Sequence, residues 1–179
     1  MNVNHLIKSK SAAPGQYLGF SLQQVRLCFH LFNADDVANV SIEHLDDVAV
    51  EKPDGTVILE QIKSSLTGNP ASDRSVDLWK TLANWGDICA SGKVNSKTTI
   101  FQYYVTPAHN GNLVEKLNNA NCDEDINFLF DKISDPVFKN KKGVGAEPYI
   151  SRFIDNGSDF CKDIISNFKF ESEIDPIES

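Results

Sequence analysis

The chain has 179 residues, 41% of them hydrophobic and 23% charged, with a net charge of −8. That length supports one domain with a real core; no apolar run approaches transmembrane length and Met1–Ser11 lacks the apolar segment of a secretory signal, so a cytoplasmic protein without a membrane partner is expected. The acidic balance weighs against a free-standing nucleic-acid binder, and Cys28, Cys89, Cys122 and Cys161 are too scattered for a zinc site or a disulfide framework, reading instead as reduced cysteines in or near the core.

In chain order, residues 1–14 are polar and read as a flexible arm. Gly15–Asn33 is a helix on which Phe20, Gln24, Leu27 and Leu31 form one stripe with Leu22, Val25 and Phe29 beside it, so it is expected to be well buried. Val40–Glu43 opens a strand region that runs into a hairpin. Ser64–Ser75 is a polar loop containing Gly68-Asn69-Pro70. Asp73 or Ser75 caps a helix over Val76–Ala90, whose apolar face carries Leu78, Trp79, Leu82, Trp85 and Ile88, and Gly92 stops it. Thr98–Thr106 is β-branched and aromatic, hence a strand, ended by Pro107. Helices follow near 112–119, 123–133 and 159–168, and the residues from 171 to 179 form an acidic tail or the start of a linker to a further domain.

The hairpin carries the chemistry. Lys52-Pro53-Asp54-Gly55-Thr56 has Pro and Asp at the centre of a type I turn and Gly at a left-handed bulge position, which sets Lys52 opposite Thr56. Pairing outward places Asp47 opposite Gln61 and Leu45 opposite Lys63. Alternation then puts Asp47, Ala49, Val57, Leu59, Gln61 and Lys63 on one face, and Asp46, Val48, Val50, Ile58, Glu60 and Ile62 on the other. Both faces are largely apolar, so the sheet is expected to be covered on both sides. A one-residue slip substitutes Asp46 for Asp47. Carboxylates on one strand with a Gln-x-Lys on the next suit metal-dependent phosphodiester hydrolysis: the acids hold a hard divalent cation, and the lysine steadies the attacking water or the developing charge. Lys8, Lys10, Arg26, Arg74, Lys80 and the run from Lys139 to Gly143 are local basic groups that soften the unfavourable net charge; the Lys139 run is the phosphate-contact candidate, against a merely solvated loop.

The order helix, three strands, helix, strand, then helices is that of an α/β restriction-endonuclease-like (PD-(D/E)xK) core, αβββαβ, with extra C-terminal helices. Core residues 15–106 and a helical extension over 107–170 make one domain. Gln61-x-Lys63 in place of (D/E)-x-K resembles the Mrr-like branch of that fold. The fuller pattern is Gly19-Phe20-x-x-Gln23, Glu43-x-x-Asp46-Asp47, Glu60-Gln61-Ile62-Lys63 and Asp77-Leu78-Trp79-Lys80-Thr81-Leu82-x-x-Trp85. It resembles the nuclease domain heading CBASS effectors with a SAVED sensor, and related domains heading STAND-type antiviral ATPases. The resemblance spans residues 15 to 106.

The resemblance implies a Mg²⁺- or Mn²⁺-dependent endonuclease of double-stranded DNA. It implies a bacterial defence effector that is silent until a sensor or ATPase domain, in the same or another chain, oligomerises it. Asp47 is then the main metal ligand, with Glu43 as a second carboxylate, directly or through water. Gln61 contributes a weak amide oxygen and Ile62 its backbone carbonyl. Lys63 activates water or stabilises the transition state, and Gln23 or Gln24 positions metal-bound water. Trp79 and Trp85 fit core packing better than base stacking, and His109 fits a loop residue better than a nucleophile. Two alternatives remain: a catalytically inactive domain of this fold serving as an assembly module, and a chain that recognises a protein through its acidic helical second half.

Overall fold

The computed structural model describes residues 13–34, 37–65, 68–139 and 145–173. The polar arm up to Ala12, with Lys8 and Lys10, the end of the tail from residue 174, and Lys141 and Lys142 of the basic run all lie outside the described residues.

Helix α1 (Ala13–Asn33) leads into β1 (Asn39–Ile42), β2 (Val48–Glu51) and β3 (Val57–Ser64), then α2 (Val76–Ala90) and β4 (Thr99–Thr106). Helices α3 (Asn112–Asn118), α4 (Asp123–Ser134), α5 (Pro136–Lys139), α6 (Glu147–Asp155) and α7 (Ser158–Ser166) precede a final strand β5 (Phe168–Ser172). The strands form one mixed sheet in the order β1-β2-β3-β4-β5. The first two pairings are antiparallel, and β3·β4 and β4·β5 are parallel.

The β2–β3 turn forms as its residues dictate. Lys52 N–H donates to Thr56 O (2.9 Å), Gly55 takes φ +84°, and Asp54 Oδ1 accepts from Thr56 N–H (2.8 Å). The register follows, with Glu51 opposite Val57 and Ala49 opposite Leu59. The ladder stops at Val48 opposite Glu60, so the backbone pairs expected for Asp47–Gln61 and Leu45–Lys63 do not form.

Both faces of the sheet are covered. Val48, Ile62 and Tyr104 pack under Leu22 of α1; Ala49, Leu59, Phe101, Tyr103 and Val105 join the larger core with α2 and the C-terminal helices. Trp79 and Trp85 are buried in that core, against Phe153 and Phe101 respectively. Ser75 caps α2 through Asp77 N–H, while Asp73 Oδ1 accepts from Leu113 N–H (2.7 Å) and so serves α3 instead. Gly92, at φ +72°, follows the end of α2 as expected.

Three expectations need correction. Helix α1 has the right span, but Phe20, Gln24, Val25, Phe29 and Leu31 are exposed, and the face turned to the sheet is Leu22, Gln23, Arg26 and His30. A helix with apolar residues all round carries no strong facial preference from hydrophobicity, so the buried acid Glu60 on β3 decides its rotation. Residues 168–172 are not helix end and tail but an edge strand: Phe168 lies opposite Phe101 and Glu171 opposite Tyr104. Of the four free cysteines, Cys89 and Cys161 are buried, while Cys28 and Cys122 are at the surface.

Candidate functional site

Where β2 ends, Ile62 of β3 has no ladder partner for its N–H, and Asp47 supplies one: Asp47 Oδ2 accepts from Ile62 N–H at 2.8 Å and also from the Gln61 side-chain amide. Its other oxygen, Oδ1, accepts from Gln23 Nε2 of α1 at 3.0 Å. The same Gln23 nitrogen donates to Glu43 Oε1 at 2.6 Å, which ties the two carboxylates together. Gln23 Oε1 is buried with no hydrogen-bond partner among the described residues. Glu43 stands at φ +54°, a left-handed conformation uncommon for a residue with a side chain, held in part by its N–H bond to Asp47 O (3.2 Å). An open recess of about 190 Å³ at this end of the sheet is lined by Glu43, His44, Leu45, Asp46 and Asp47.

Asp46 goes elsewhere. Its Oδ1 accepts from Asp47 N–H (2.9 Å) and its Oδ2 from Trp85 Nε1 of α2 (2.5 Å). Strict alternation would put Asp46 on the α1 side and Asp47 on the α2 side. Because residues 43–47 form a bend beyond the strand, Asp46 instead reaches α2 and Asp47 reaches α1. Of the two acids, Asp47 is the one that meets Gln61.

Electrostatics follow from this placement. Burial pushes the Asp46 carboxyl up to about 7, against the Trp85 and Asp47 hydrogen bonds that favour its charged form. Burial also raises Asp47, partly offset by Ile62 N–H, the positive charge of Lys63 and the Gln61 amide, while Glu43 adds repulsion. Lys63 is half-buried and its charge acts on both aspartates.

Residues on the other side of Gln61 form a network that sequence reasoning missed. Arg26 of α1 grips Glu60 with two bonds (Nε–Oε1 2.8 Å, Nη2–Oε2 2.6 Å) and also reaches Glu171 of β5 at 3.1 Å. His30 Nε2 lies 3.0 Å from Glu60 Oε2. The guanidinium is sandwiched between the rings of Phe29 (4.4 Å) and Tyr104 (4.2 Å). A lone acid on an apolar strand face, with Arg and His four residues apart on the preceding helix, was the available signal.

The network engages Arg26, one of the basic groups set against the net charge, in an internal ion pair. Arg74, another of them, bonds Phe138 O (2.6 Å) and Glu147 (2.9 Å). Lys80 remains exposed on α2. His109 sits in the loop after β4, its N–H bonded to Ser172 Oγ (2.8 Å).

Among the described residues no group of three or more His, Cys, Asp or Glu is placed to hold a metal ion. The donor chemistry nevertheless fits a hard cation. The two carboxylates are held together by one amide hydrogen-bond donor, Gln23 Nε2. Ile62 N–H points to the β2 edge, and the carbonyl of a strand residue projects from the same edge as its N–H, so Ile62 O is turned the same way. A hard cation there would draw on the carboxylates of Glu43 and Asp47 and on Ile62 O, completed by water, since Gln23 and Gln61 turn their amide nitrogens rather than their oxygens toward Asp47. No family model matches the chain, nor does any curated protein or solved structure.

Proposed function

We propose that this chain is a metal-dependent endonuclease of double-stranded DNA on a restriction-endonuclease-like core, serving as the cytoplasmic effector of a bacterial anti-phage defence system under a sensor or ATPase domain. The observation that carries this reading is the contact of Asp47 with Gln61 at the end of β2, with Lys63 near enough to act on the same carboxylate. The αβββαβ order through β4 supports it. A bound Mg²⁺ or Mn²⁺ supplies Lewis-acid activation of the scissile phosphate and lowers the pKa of bound water.

The chain's own residues do the rest. Asp47 and Glu43 hold the cation's charge. Gln23, bonded to both, fixes their spacing, and Gln61 and Ile62 N–H orient Asp47. Lys63 neutralises charge that develops on the phosphoryl oxygens, a contribution of order 10²–10³ in rate when a single such group is removed.

A second reading, an inactive assembly module of the same fold, draws on one observation. The Asp47 carboxylate already accepts three hydrogen bonds, and two glutamines stand around it. The test is plasmid DNA at low salt and high protein concentration, with Mg²⁺ or Mn²⁺, with and without EDTA. Metal-dependent cleavage is expected, falling by about 10²–10³ in Lys63→Ala with an unchanged circular-dichroism melt. Cleavage that survives Lys63→Ala overturns the mechanism. A wild-type protein that binds no Mn²⁺ and stays inert when oligomerised by fusion favours the assembly module.

A further inference from the structure

Gln23 is 8% exposed, and its amide has one satisfied end and one orphaned end. Nε2 carries two hydrogens and gives one to each acid, Glu43 Oε1 at 2.6 Å and Asp47 Oδ1 at 3.0 Å. Oε1 is buried without a hydrogen-bond partner among the described residues. A half-turn about the last side-chain bond exchanges the two ends. It also aims an oxygen's partial negative charge at two carboxylates, so the orphaned oxygen is the smaller penalty. Gln61 is turned the same way: its amide nitrogen, not its oxygen, meets Asp47 Oδ2.

Two carboxylates that both turn an oxygen toward one N–H₂ group are arranged around a positive centre. A cation that bridges such a pair lies between the two oxygens, and Gln23 Nε2 lies there with its partial positive charge. We infer that, given the metal site proposed for this chain, the Gln23 amide stands in for the cation, so that metal binding is an exchange in which the ion displaces this N–H₂ group from between Glu43 and Asp47.

The two sides of the contact belong to separate elements and can part. Gln23 is delivered by α1, which Arg26, one turn on, fastens to Glu60 of β3; Glu43 and Asp47 belong to the bend beyond β2. Hydrogen bonds to ionised groups are the strong ones, so the amide is a real competitor for the acids. Removing it therefore raises metal affinity. A Gln23 that only steers metal-bound water has the opposite sign, because its removal takes away a support.

Mn²⁺ binding to the full chain, followed by loss of the free ion's electron paramagnetic resonance signal, tests the exchange without DNA or turnover. Thermal melts with and without Mn²⁺ accompany it. Gln23→Ala is expected to bind Mn²⁺ at least ~10-fold tighter than wild type. Without metal it is expected to melt lower, since two acids are left facing each other. Gln23→Lys brings a full positive charge to the same place. It is expected to lose Mn²⁺ binding while melting at or above wild type without metal. If Gln23→Ala does not fold, Gln23→Lys decides by the same two readouts. Mn²⁺ bound by wild type, but equally or more weakly by Gln23→Ala, overturns the exchange and leaves the metal site standing. Wild-type affinity in Gln23→Lys overturns it too. Mn²⁺ bound by neither wild type nor Gln23→Ala removes the metal site itself, and the exchange with it.

Discussion

Asp46 and Asp47 are neighbours with the same side chain and opposite assignments. Asp47 takes the donors at the end of β3, and Asp46 takes the indole of Trp85. Nothing in their chemistry separates them; the end of the β2 ladder at Val48 does, because the next residues turn out of the strand. Asp46 thereby ties the site to the α2 core through one bond. Trp85→Phe keeps most of the ring packing against Phe101 and Phe168 but removes the Nε1 donor. The expected cost is about 1–3 kcal/mol, because a buried carboxylate oxygen is left without its partner. Urea unfolding of the two proteins reads it directly.

At the scale of elements, α1 is fastened to β3 by Arg26, His30 and Glu60, and that fastening sets Gln23 one turn away against Asp47 and Glu43. Glu60 is fully buried. Burial alone would raise its pKa, but the hydrogen bonds from Arg26 and His30 and the charge of Arg26 outweigh that and hold it below the usual carboxylate range. Breaking such a pair from one side leaves a buried charge uncompensated, so Glu60→Gln is expected to destabilise by roughly 3–5 kcal/mol, measured by denaturant unfolding. The pH dependence has a definite sign. A depressed folded-state pKa means this contribution is fully present above the ordinary glutamate value near 4.5 and is lost as pH falls through the depressed one. Wild-type melting temperature is therefore expected to drop below about pH 4.5, and Glu60→Gln to show a shallower acid limb.

For the whole molecule, the sheet is closed by its last strand. β5 pairs with β4 over five positions, buries Phe168 against Trp85, and brings Glu171 to Arg26. A chain stopped after Ser166 loses all of these and exposes the β4 edge. It is expected to be unfolded or aggregated, seen as loss of the cooperative thermal transition. The same arrangement leaves β1 at the opposite edge, packed under the inner side of α1.

Much of this was legible in the residues alone. The Pro-Asp-Gly turn and its register, the span of α2 with Ser75 and Gly92 at its ends, and strand β4 all rest on local hydrogen bonding and short-range periodicity, which neighbouring residues settle among themselves. The tertiary structure alone decided which way α1 faces, which of two aspartates enters the site, that Arg26 and Arg74 serve internal ion pairs, and that the chain's acidic end begins as a strand. Each of those depends on a partner far away in sequence, and a buried charge such as Glu60 outweighs the pattern of the helix that must come to meet it.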